Sequence, residues 1–453
     1  MQTVITNTNY SATISLLKSE YDKLSEDGCF FVLIKTEYDE RGNVINDFLD
    51  IISVATRVGY HYVNTIVYPI SEAQECSFID NVKYIVWLCK NHSKMKFCKD
   101  NIREKHIWKD VEWGKRTKNY NPKGKDPGNV WIPTEDDGNA NITNHIMLND
   151  QGVIERIISM SGCNDDYALF NDGYCVDVKA VEVAQSNVAI CNNISNSKVI
   201  FKSSESMKDI ADESIKLVVT SPPYWDLKDY FKEGQIGQES YSKYLQRMRK
   251  VWKQCYNKLS ADGSLWININ TRVQDGKVIP IPKDFVLMCK ELGFYYKGIV
   301  IWHKSSGIPT SDKNIVDRHE YVLVFSKNEQ FSVNKTIFAA YADYKNDKIN
   351  GGAFWNINRK AGSVGKKYIH PAIYPNELVE RIIKISTLEC EVLLDPFLGS
   401  GTSIIAAEKT NRVCIGYEYN EGFEDLIRSR FDLEIPESKV KFIKPKSMKI
   451  YKS

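Results

Sequence analysis

The chain has 453 residues, a formal net charge of +2, 43% hydrophobic residues and 26% charged residues. This composition excludes a disordered, collagen-like or disulfide-scaffold protein, and the length predicts about two or three domains. No apolar run approaches the roughly 18 residues that a membrane span needs, and the first residues show no leader peptide. We therefore expect a cytoplasmic protein that does not enter a membrane.

The cysteines and histidines give no sign of a metal centre. Eleven cysteines are spread over the chain without a C-x-x-C pair, and the seven histidines lack metal-ligand spacing. This pattern predicts buried, reduced thiols rather than disulfides, and it predicts that the protein holds no structural metal.

Segments from the first part of the chain recur in the same order in the second part. The matching segments are Leu24–Ile34 with Leu259–Ile269, Asp47–Tyr62 with Asp284–Tyr296, Phe78–Asn91 with Ile315–Asn328, Gly128–Trp131 with Gly352–Trp355, and Val153–Ser161 with Leu378–Ser386. The alternative is that any two α/β segments share some strand-turn-helix texture. Five ordered matches favour a duplication, with one α/β unit over residues 1–182 and a second over residues 183–453. Short apolar strands that alternate with helical patterns predict parallel-rich sheets covered on both faces.

Residues 94–125 form a basic segment in the first unit. They include eleven Lys or Arg and four acidic residues, a net charge of +7, with four aromatic residues interleaved. Basic side chains with aromatic neighbours suit contact with nucleic-acid phosphates, and Trp113, Lys115 and Arg116 are the candidate contacts. A solvated loop whose aromatic residues pack into its own core is the alternative.

A candidate catalytic loop follows a predicted strand over residues 215–220. The loop reads Ser221-Pro-Pro-Tyr-Trp225, in which two prolines fix the backbone and remove two N–H donors. Ser221 and the Pro222 carbonyl are therefore oriented acceptors, and the two aromatic rings offer stacking faces. Such a site suits a planar heterocycle with an exocyclic amine, whose nitrogen becomes a better nucleophile when acceptors hold both of its N–H groups. A proline-stiffened turn without chemistry is the alternative.

A candidate cofactor loop follows a second predicted strand, Val392–Leu394. Asp395 ends this strand, Gly399-Ser-Gly401 makes a tight turn, and a helix is predicted over residues 402–409. Glycines allow close approach to the backbone and a helix N-terminus offers free N–H groups, so the loop predicts a nucleotide-type site. It lacks the lysine that clamps a triphosphate. Glu418 ends the next strand, where a carboxylate can accept both hydroxyls of a ribose; a helix cap or a surface acid is the alternative.

The two units differ at these loops. The first unit begins too late to contain a counterpart of the catalytic loop, and at the counterpart of the glycine loop it reads Phe170-Asn-Asp-Gly173. We therefore expect the chemistry to lie within residues 183–453.

These motifs resemble those of the amino-methyltransferases of DNA, which use S-adenosylmethionine to methylate cytosine N4 or adenine N6. Residues 220–225 are similar to the catalytic motif of this family, and residues 395–402 to its cofactor motif. His370–Leu378 is similar to the motif beside the methionine end of the cofactor, and His319–Lys327 to a core strand. The catalytic motif precedes the cofactor motif, which is the order of the beta class, and the resemblance covers residues 197–432.

The resemblance implies a Rossmann-like α/β fold with a site for each ligand. A flipped base would be held by Ser221, Pro222, Pro223 and Tyr224, with Trp225 beside them. The cofactor would be held by Asp395, Pro396, Phe397, Gly399, Ser400, Gly401, Thr402, Glu418 and His370. The family often has Gly-Asp-Ser where this chain has Phe201-Lys-Ser-Ser204. The acidic contact is missing there, and Ser203 or Ser204 is the candidate substitute.

The resemblance also implies double-stranded DNA as the substrate, in a bacterial or phage setting. The serine of the catalytic motif favours cytosine N4 over adenine N6. Methylation of RNA and a DNA-binding module without activity are the alternatives. The first unit is then interpreted as a degenerate copy of the same fold that grips DNA and reads the target, so that the chain could work as a monomer with an internal pseudo-dimer. A cognate restriction or defence partner is a further expectation.

Overall fold

The fold was analysed in a computed structural model of the chain. It describes residues 2–75, 79–103, 126–131, 150–162, 166–171, 197–225, 232–274, 277–304, 314–331, 333–334, 352–358, 363–364, 368–369 and 374–444. Four of the predicted ligand contacts, Trp113, Lys115, Arg116 and His370, lie outside these residues.

The first unit is built on a five-stranded sheet. Its strands are β1 (Thr3–Asn7), β2 (Cys29–Ile34), β3 (Glu37–Tyr38), β4 (Val44–Asn46), β5 (His61–Glu75), β6 (Ile79–Cys89) and β7 (Tyr167–Asn171), and its helices are α1 (Tyr10–Glu20), α2 (Phe48–Val58) and α3 (Asp150–Ser161). The sheet order is β5-β6-β2-β1-β7. β1 is parallel to both of its neighbours, whereas β6 is antiparallel to both of its own. β3 and β4 form a separate hairpin.

The second unit is built on a nine-stranded sheet. Its strands are β8 (Lys198–Phe201), β9 (Ile215–Thr220), β10 (Leu259–Ile269), β11 (Arg272–Gln274), β12 (Lys277–Ile279), β13 (Tyr295–His303), β14 (His319–Ser326), β15 (Phe354–Asn356), β16 (Ser363–Val364), β17 (Tyr368–Ile369), β18 (Val392–Asp395), β19 (Val413–Glu418) and β20 (Lys441–Ile443). Its helices are α4 (Tyr241–Lys258), α5 (Ile281–Glu291), α6 (Asn376–Ser386), α7 (Thr402–Lys409) and α8 (Glu424–Glu434). The order is β15-β13-β14-β10-β9-β18-β19-β8-β20. The strands from β10 to β20 in this order are all parallel.

Local sequence accounts for these elements. β2 is buried along its whole length, and β9 is buried at five of its six positions, as expected for strands with both faces covered. Asp47 caps α2 by accepting from the Leu49 and Asp50 N–H groups, which satisfies donors that would otherwise lack partners at the helix start. The predicted parallel-rich, Rossmann-like sheet of the second unit is therefore confirmed.

The N-terminal end of α2 joins the two units. The Asp47 Oδ2 atom accepts from the Tyr296 hydroxyl at 2.9 Å, and Asp50 forms an ion pair with Lys283. The Phe48 ring lies 5.2 Å from the ring of Tyr321. Burial raises the pKa of Asp47 to about 6, because the carboxylate is removed from water beside a second acid. One core of buried apolar residues extends through both units, and a second, smaller core lies almost entirely in the first unit.

The cysteines in the described part of the chain are mostly but not entirely free. Among the described residues, Cys29, Cys89, Cys98, Cys255, Cys289 and Cys414 are free thiols. Cys390 is disulfide-bonded, so the expectation of reduced thiols throughout is wrong at this position. Within the same described part of the chain, no helix is long and apolar enough to cross a membrane, and no cluster of three or more metal-ligating side chains is present.

Candidate active site

Three parallel strands bring the predicted site residues to one edge of the second unit's sheet. β9 ends at Thr220, β18 at Asp395 and β19 at Glu418, and β18 lies between the other two. Because the carboxyl ends of parallel strands meet at the same edge, the catalytic loop, the glycine loop and Glu418 are neighbours.

The Asp395 carboxylate ties the catalytic strand to the glycine loop. It is fully buried. Its Oδ1 atom accepts from Thr220 Oγ1 at 2.7 Å and from the Phe397 N–H at 3.0 Å. Its Oδ2 atom accepts from Ser403 Oγ and from the Tyr374 hydroxyl. Burial raises the pKa of Asp395, and the four donors oppose that rise because each favours the ionised form. All four donors belong to the protein, so the predicted direct contact of Asp395 with a cofactor stays a prediction.

Glu418 faces the glycine loop from the end of β19. Its Oε2 atom accepts from the Gly399 N–H at 2.9 Å, and its Oε1 atom accepts from the Asn420 N–H at 2.7 Å. Burial raises the pKa of Glu418 to about 7, although these backbone donors act in the opposite direction. Each carboxylate oxygen has a second lone pair, so Glu418 can still accept two hydroxyl groups. Gly401 has φ 87°, and a Cβ there would lie 2.7 Å from the Phe431 ring, so this turn requires glycine.

Arg430 on α8 holds the glycine loop, and the sequence analysis missed it. The side chain is 1% exposed and pairs with Glu434 at 2.9 Å. It donates to the carbonyl and hydroxyl oxygens of Ser400 and to Thr402 Oγ1, at 2.8 to 3.0 Å. Both hydroxyls are thus used to hold the loop against α8. The contacts predicted between these two residues and the cofactor stay predictions.

The catalytic loop, which follows β9, has two hydrogen-bond acceptors available for a ligand. Ser221 Oγ accepts from Asn268 Nδ2 at 3.4 Å, which uses one of its two lone pairs. The Pro223 carbonyl accepts from the Tyr244 hydroxyl at 2.7 Å, which fixes the path of the loop. No donor among the described residues engages the Pro222 carbonyl. The second lone pair of Ser221 and the Pro222 carbonyl can therefore both receive an amine.

Four buried or half-buried side chains, Glu320, Lys304, Asn268 and Tyr224, form a cluster beneath the catalytic loop. Glu320 Oε2 accepts from the Tyr224 hydroxyl at 2.7 Å and from Asn268 Nδ2 at 2.8 Å, and Oε1 accepts from Lys304 Nζ at 2.9 Å. Burial alone would raise the pKa of Glu320, but Lys304 and the two other donors hold it below its ordinary value. An ionised Glu320 can only accept, so Asn268 must turn its NH₂ group toward it. Asn268 Oδ1 is then buried without a donor among the described residues.

Trp225 ends the catalytic loop in a strained backbone conformation. Its φ is 54°, and Gly237 lies so close that a Cβ there would be 2.6 Å from the Trp225 carbonyl oxygen. The indole donates to the Glu239 carbonyl at 2.8 Å, and the Arg272 guanidinium lies 5.6 Å from the ring centroid. Strain of this kind persists only where the surroundings fix it, and it is concentrated in ligand-binding loops. The predicted contact of Trp225 with a base stays a prediction.

Glu205 directly follows residues 201–204, the segment in which this chain lacks the acidic cofactor contact that the family often has. Glu205 Oε2 accepts from Ser203 Oγ at 3.2 Å and from Arg247 Nη2 at 2.7 Å. Burial favours a higher pKa for Glu205, but Arg247 holds it below its ordinary value. Glu205 is thus paired within the protein, and substitution of the contact by Ser203 or Ser204 stays a prediction.

The residues at this edge fit S-adenosylmethionine. The Glu418 carboxylate faces the glycine turn, where it suits the neutral ribose hydroxyls of an adenosyl group and repels a phosphate. The turn itself has positive φ at Gly399 and Gly401, a backbone conformation that glycine adopts without strain. Glu418 and the backbone of residues 397–401 are the groups that would hold the adenosyl moiety.

Comparisons with known proteins agree with this chemistry. A sequence model of the N6/N4 methyltransferase family described as DNA methylase matches residues 7–169 and 215–429. The type II methyltransferase M.Cfr9I of Citrobacter freundii is 29% identical over 266 residues, which cover 50% of this chain and 85% of that protein. The type II methyltransferase M.SmaI of Serratia marcescens is 28% identical over 281 residues, which cover 54% of this chain and 94% of that protein.

Two solved structures are similar to part of the chain. A putative DNA modification methylase from Thermus thermophilus has a TM-score of 0.42 and 25% identity, over 55% of this chain and 100% of that chain. The cytosine-N4-specific PvuII DNA methyltransferase has a TM-score of 0.43 and 21% identity, over 55% of this chain and 95% of that chain.

Replacing Ser221 with alanine tests whether this hydroxyl belongs to the catalytic step. We expect Ser221→Ala to lower turnover on DNA by about 10²-fold, the loss typical of one removed transition-state hydrogen bond, and to keep its affinity for S-adenosylhomocysteine. Asp395→Ala should instead weaken that affinity, because Asp395 orders the glycine loop. The exposed Ser214, just before β9, provides the control Ser214→Ala, which should match the wild type. Equal loss of turnover and affinity in Ser221→Ala would contradict the assignment.

The raised pKa of Glu418 predicts pH-dependent cofactor binding. Below about pH 7 the Glu418 carboxyl is protonated in the ligand-free protein and loses acceptor sites for hydroxyl groups. Affinity for S-adenosylhomocysteine, measured by calorimetry, should therefore rise by about tenfold between roughly pH 6 and pH 8. Glu418→Gln cannot titrate and should show a flat profile. A wild-type profile as flat as that of the variant would show that Glu418 does not contact the ligand.

Proposed function

The chain belongs to the N6/N4 DNA methylase family, and on that premise we propose that it transfers a methyl group to N4 of cytosine in double-stranded DNA. Membership makes the protein an S-adenosylmethionine-dependent DNA amino-methyltransferase. The choice of cytosine is our proposal, and it is carried by one observation: the acceptor at the end of β9 is the neutral hydroxyl of Ser221, whereas the aspartate version of the motif leans toward adenine.

The proposed mechanism depends on orienting acceptors. S-adenosylmethionine supplies the electrophilic methyl group when it is bound. Ser221 Oγ and the Pro222 carbonyl would accept the two N–H bonds of the target amine, which directs the nitrogen lone pair away from the loop. Tyr224, held through its hydroxyl by Glu320, would stack on the flipped base. Asn268, whose NH₂ group donates to Ser221 Oγ, would hold this hydroxyl in place for the amine.

Adenine N6 and RNA remain the competing substrates. A serine hydroxyl can accept from the N6 amine of adenine as well as from the N4 amine of cytosine, so the preference for cytosine rests on residue type. Loss of activity, which would leave a DNA-binding module, is disfavoured because the Ser221 and Pro222 acceptors and the Glu418 carboxylate are all present.

Nucleoside mass spectrometry distinguishes these substrates. Duplex DNA incubated with the protein and methyl-labelled S-adenosylmethionine should yield labelled N4-methylcytosine. Labelled N6-methyladenine would keep the mechanism and overturn the base. Label in structured RNA but not in DNA would overturn the substrate. The control is Asp395→Ala, which should yield no label in any nucleoside.

For the first unit we propose the role of gripping DNA and reading its target. The support is the net charge of +7 over residues 94–125, with aromatic residues interleaved. The division into residues 1–182 and 183–453, the monomeric state and a cognate restriction or defence partner belong to the same proposal. Binding of a basic segment to a duplex releases counterions, so its contribution can be measured from the salt dependence of affinity.

Removing two charges from the basic segment tests this role. Each phosphate contact adds about −0.9 to the slope of log affinity against log salt, so the double variant Lys115→Ala, Arg116→Ala should make that slope less steep by about two units. Lys18→Ala, Lys23→Ala removes the same charge from α1 and from the turn that follows it, and should leave the slope unchanged. Fluorescence anisotropy over a salt series measures both. Equal slopes for the two double variants would contradict DNA contact by residues 115 and 116.

A further inference from the structure

The two sheets share one arrangement over five strands. The order β5-β6-β2-β1-β7 matches β13-β14-β10-β9-β18, with the same strand directions at every step. The repeat aligns Val32 with Ile267, and the strand registers pair Val32 with Thr6 and Ile267 with Thr220. Thr6 of the first unit therefore corresponds to Thr220, the last residue before the catalytic loop.

Residues 6–10 accordingly stand at the position of residues 220–224. They read Thr-Asn-Thr-Asn-Tyr, so the expectation that the first unit begins too late for this loop is wrong. Both prolines are absent, and Asn7 stands in place of Ser221. Asn9 Oδ1 accepts from the Ala12 N–H at 2.9 Å and caps α1. Residues 6–10 therefore lead into a helix, whereas residues 220–224 form a rigid loop of hydrogen-bond acceptors.

The first unit has no carboxylate at the position of Asp395. The strand register puts Leu169 of β7 there, and its side chain cannot accept a hydrogen bond. One hydrogen bond of 2.9 Å joins Thr6 Oγ1 to Thr8 Oγ1, whereas the counterpart Thr220 donates to Asp395. No link between a catalytic strand and a cofactor loop is present in the described residues of the first unit.

The contacts between the units are reciprocal. A Cβ on Gly128 of the first unit would lie 2.7 Å from Arg318 of the second, and a Cβ on Gly352 of the second would lie 2.3 Å from Asn81 of the first. The repeat makes Gly128 the counterpart of Gly352, and Asn81 the counterpart of Arg318. The two units therefore meet through the same surface, as the subunits of a two-fold symmetric dimer do.

This symmetry is broken at Asn129, whose counterpart is Ala353. Asn129 is 1% exposed. Its Oδ1 atom accepts from the Arg318 N–H at 2.8 Å, and its Nδ2 group donates to Asp317 Oδ1 at 2.9 Å. Its backbone N–H donates to the Val316 carbonyl at 2.9 Å. An alanine cannot make the side-chain bonds, so the first unit clamps residues 316–318 of the second unit and receives no equivalent clamp at position 353.

The clamped segment leads directly into the Glu320 cluster. The Arg318 carbonyl accepts from the Lys304 N–H at 2.6 Å, and Lys304 Nζ donates to Glu320, which lies two residues beyond Arg318. Glu320 in turn holds Tyr224 of the catalytic loop. A continuous path of hydrogen bonds and backbone thus runs from Asn129 in the first unit to the catalytic loop in the second.

We infer that residues 1–182 are a catalytically silent counterpart of the second unit, and that Asn129 makes this unit a positioning partner for the active site. The inference rests on the proposed function and adds a task for the first unit that does not require contact with DNA. Asn129 fixes residues 316–318, these place Lys304 and Glu320, and Glu320 orients Tyr224 and the Asn268 amide. The chain should then bind one S-adenosylhomocysteine, and binding of two would overturn the silent assignment.

Asn129→Ala tests the positioning role. A small misplacement of catalytic groups costs about ten- to a hundredfold in rate, so turnover should fall by this factor while affinity for S-adenosylhomocysteine stays unchanged. In hydrogen exchange of the ligand-free protein, peptides covering 316–320 and 221–225 should exchange faster. The control Arg41→Ala removes the surface contact between Arg41 and Glu329, which also joins the units, and should change neither property. Asn64→Ala removes the 3.0 Å bond from Asn129 Nδ2 to Asn64 Oδ1 and provides a milder variant if Asn129→Ala does not fold.

A double-mutant cycle separates positioning from general destabilisation. If Asn129 acts through Glu320, then adding Asn129→Ala to Glu320→Gln should cause little further loss of turnover. Independent, multiplicative losses would overturn the inference, as would unchanged exchange at 221–225 in a folded Asn129→Ala protein. Exchange is measured without substrate, so a wild-type protein that methylates neither DNA nor RNA would refute the proposed function while this readout still decides the inference.

Discussion

The active site depends on one buried carboxylate. Asp395 lies in the middle strand of three whose ends meet at the same edge, and its two oxygens receive donors from β9, from the glycine loop and from α7. A carboxylate that is withdrawn from water is stable only when such donors surround it. The hydrogen bonds that offset its desolvation also hold the loop that would bind the base next to the loop that would bind the cofactor.

The remaining residues of the site extend this constraint outward. Arg430, also fully buried, holds the glycine loop from the side of α8, and Glu320 holds the catalytic loop from the side of β14. Each is a buried, ionised group with several hydrogen bonds. Removing any one partner would leave part of the buried charge uncompensated, which is destabilising. Both loops are thus fixed in place before any ligand binds, which is the condition for electrostatic preorganisation.

Local sequence patterns predicted the parts of the site that depend on local structure. Asp395 and Glu418 end their strands, and α7 begins at Thr402, because apolar runs and a glycine turn determine these boundaries within a few residues. Glu320, Asn268 and Arg430 could not be predicted, because their roles come from pairings between segments far apart in the chain. The correspondence of residues 6–10 to the catalytic loop escaped notice because these residues include neither proline nor serine, and only the strand register indicates it.

The asymmetry between Asn129 and Ala353 explains how two similar units can differ in what they contribute. When one copy in a symmetric pair loses its chemistry, the residues that supported its loops no longer need to be matched across the interface. An interface residue that supports an active loop is still needed. Its counterpart, which faces an inactive loop, is not. Here the clamp runs toward the Glu320 cluster and residue 353 offers none in return, as this reasoning requires. The direction of the clamp supports the proposed location of the active site, independently of the motifs that mark it.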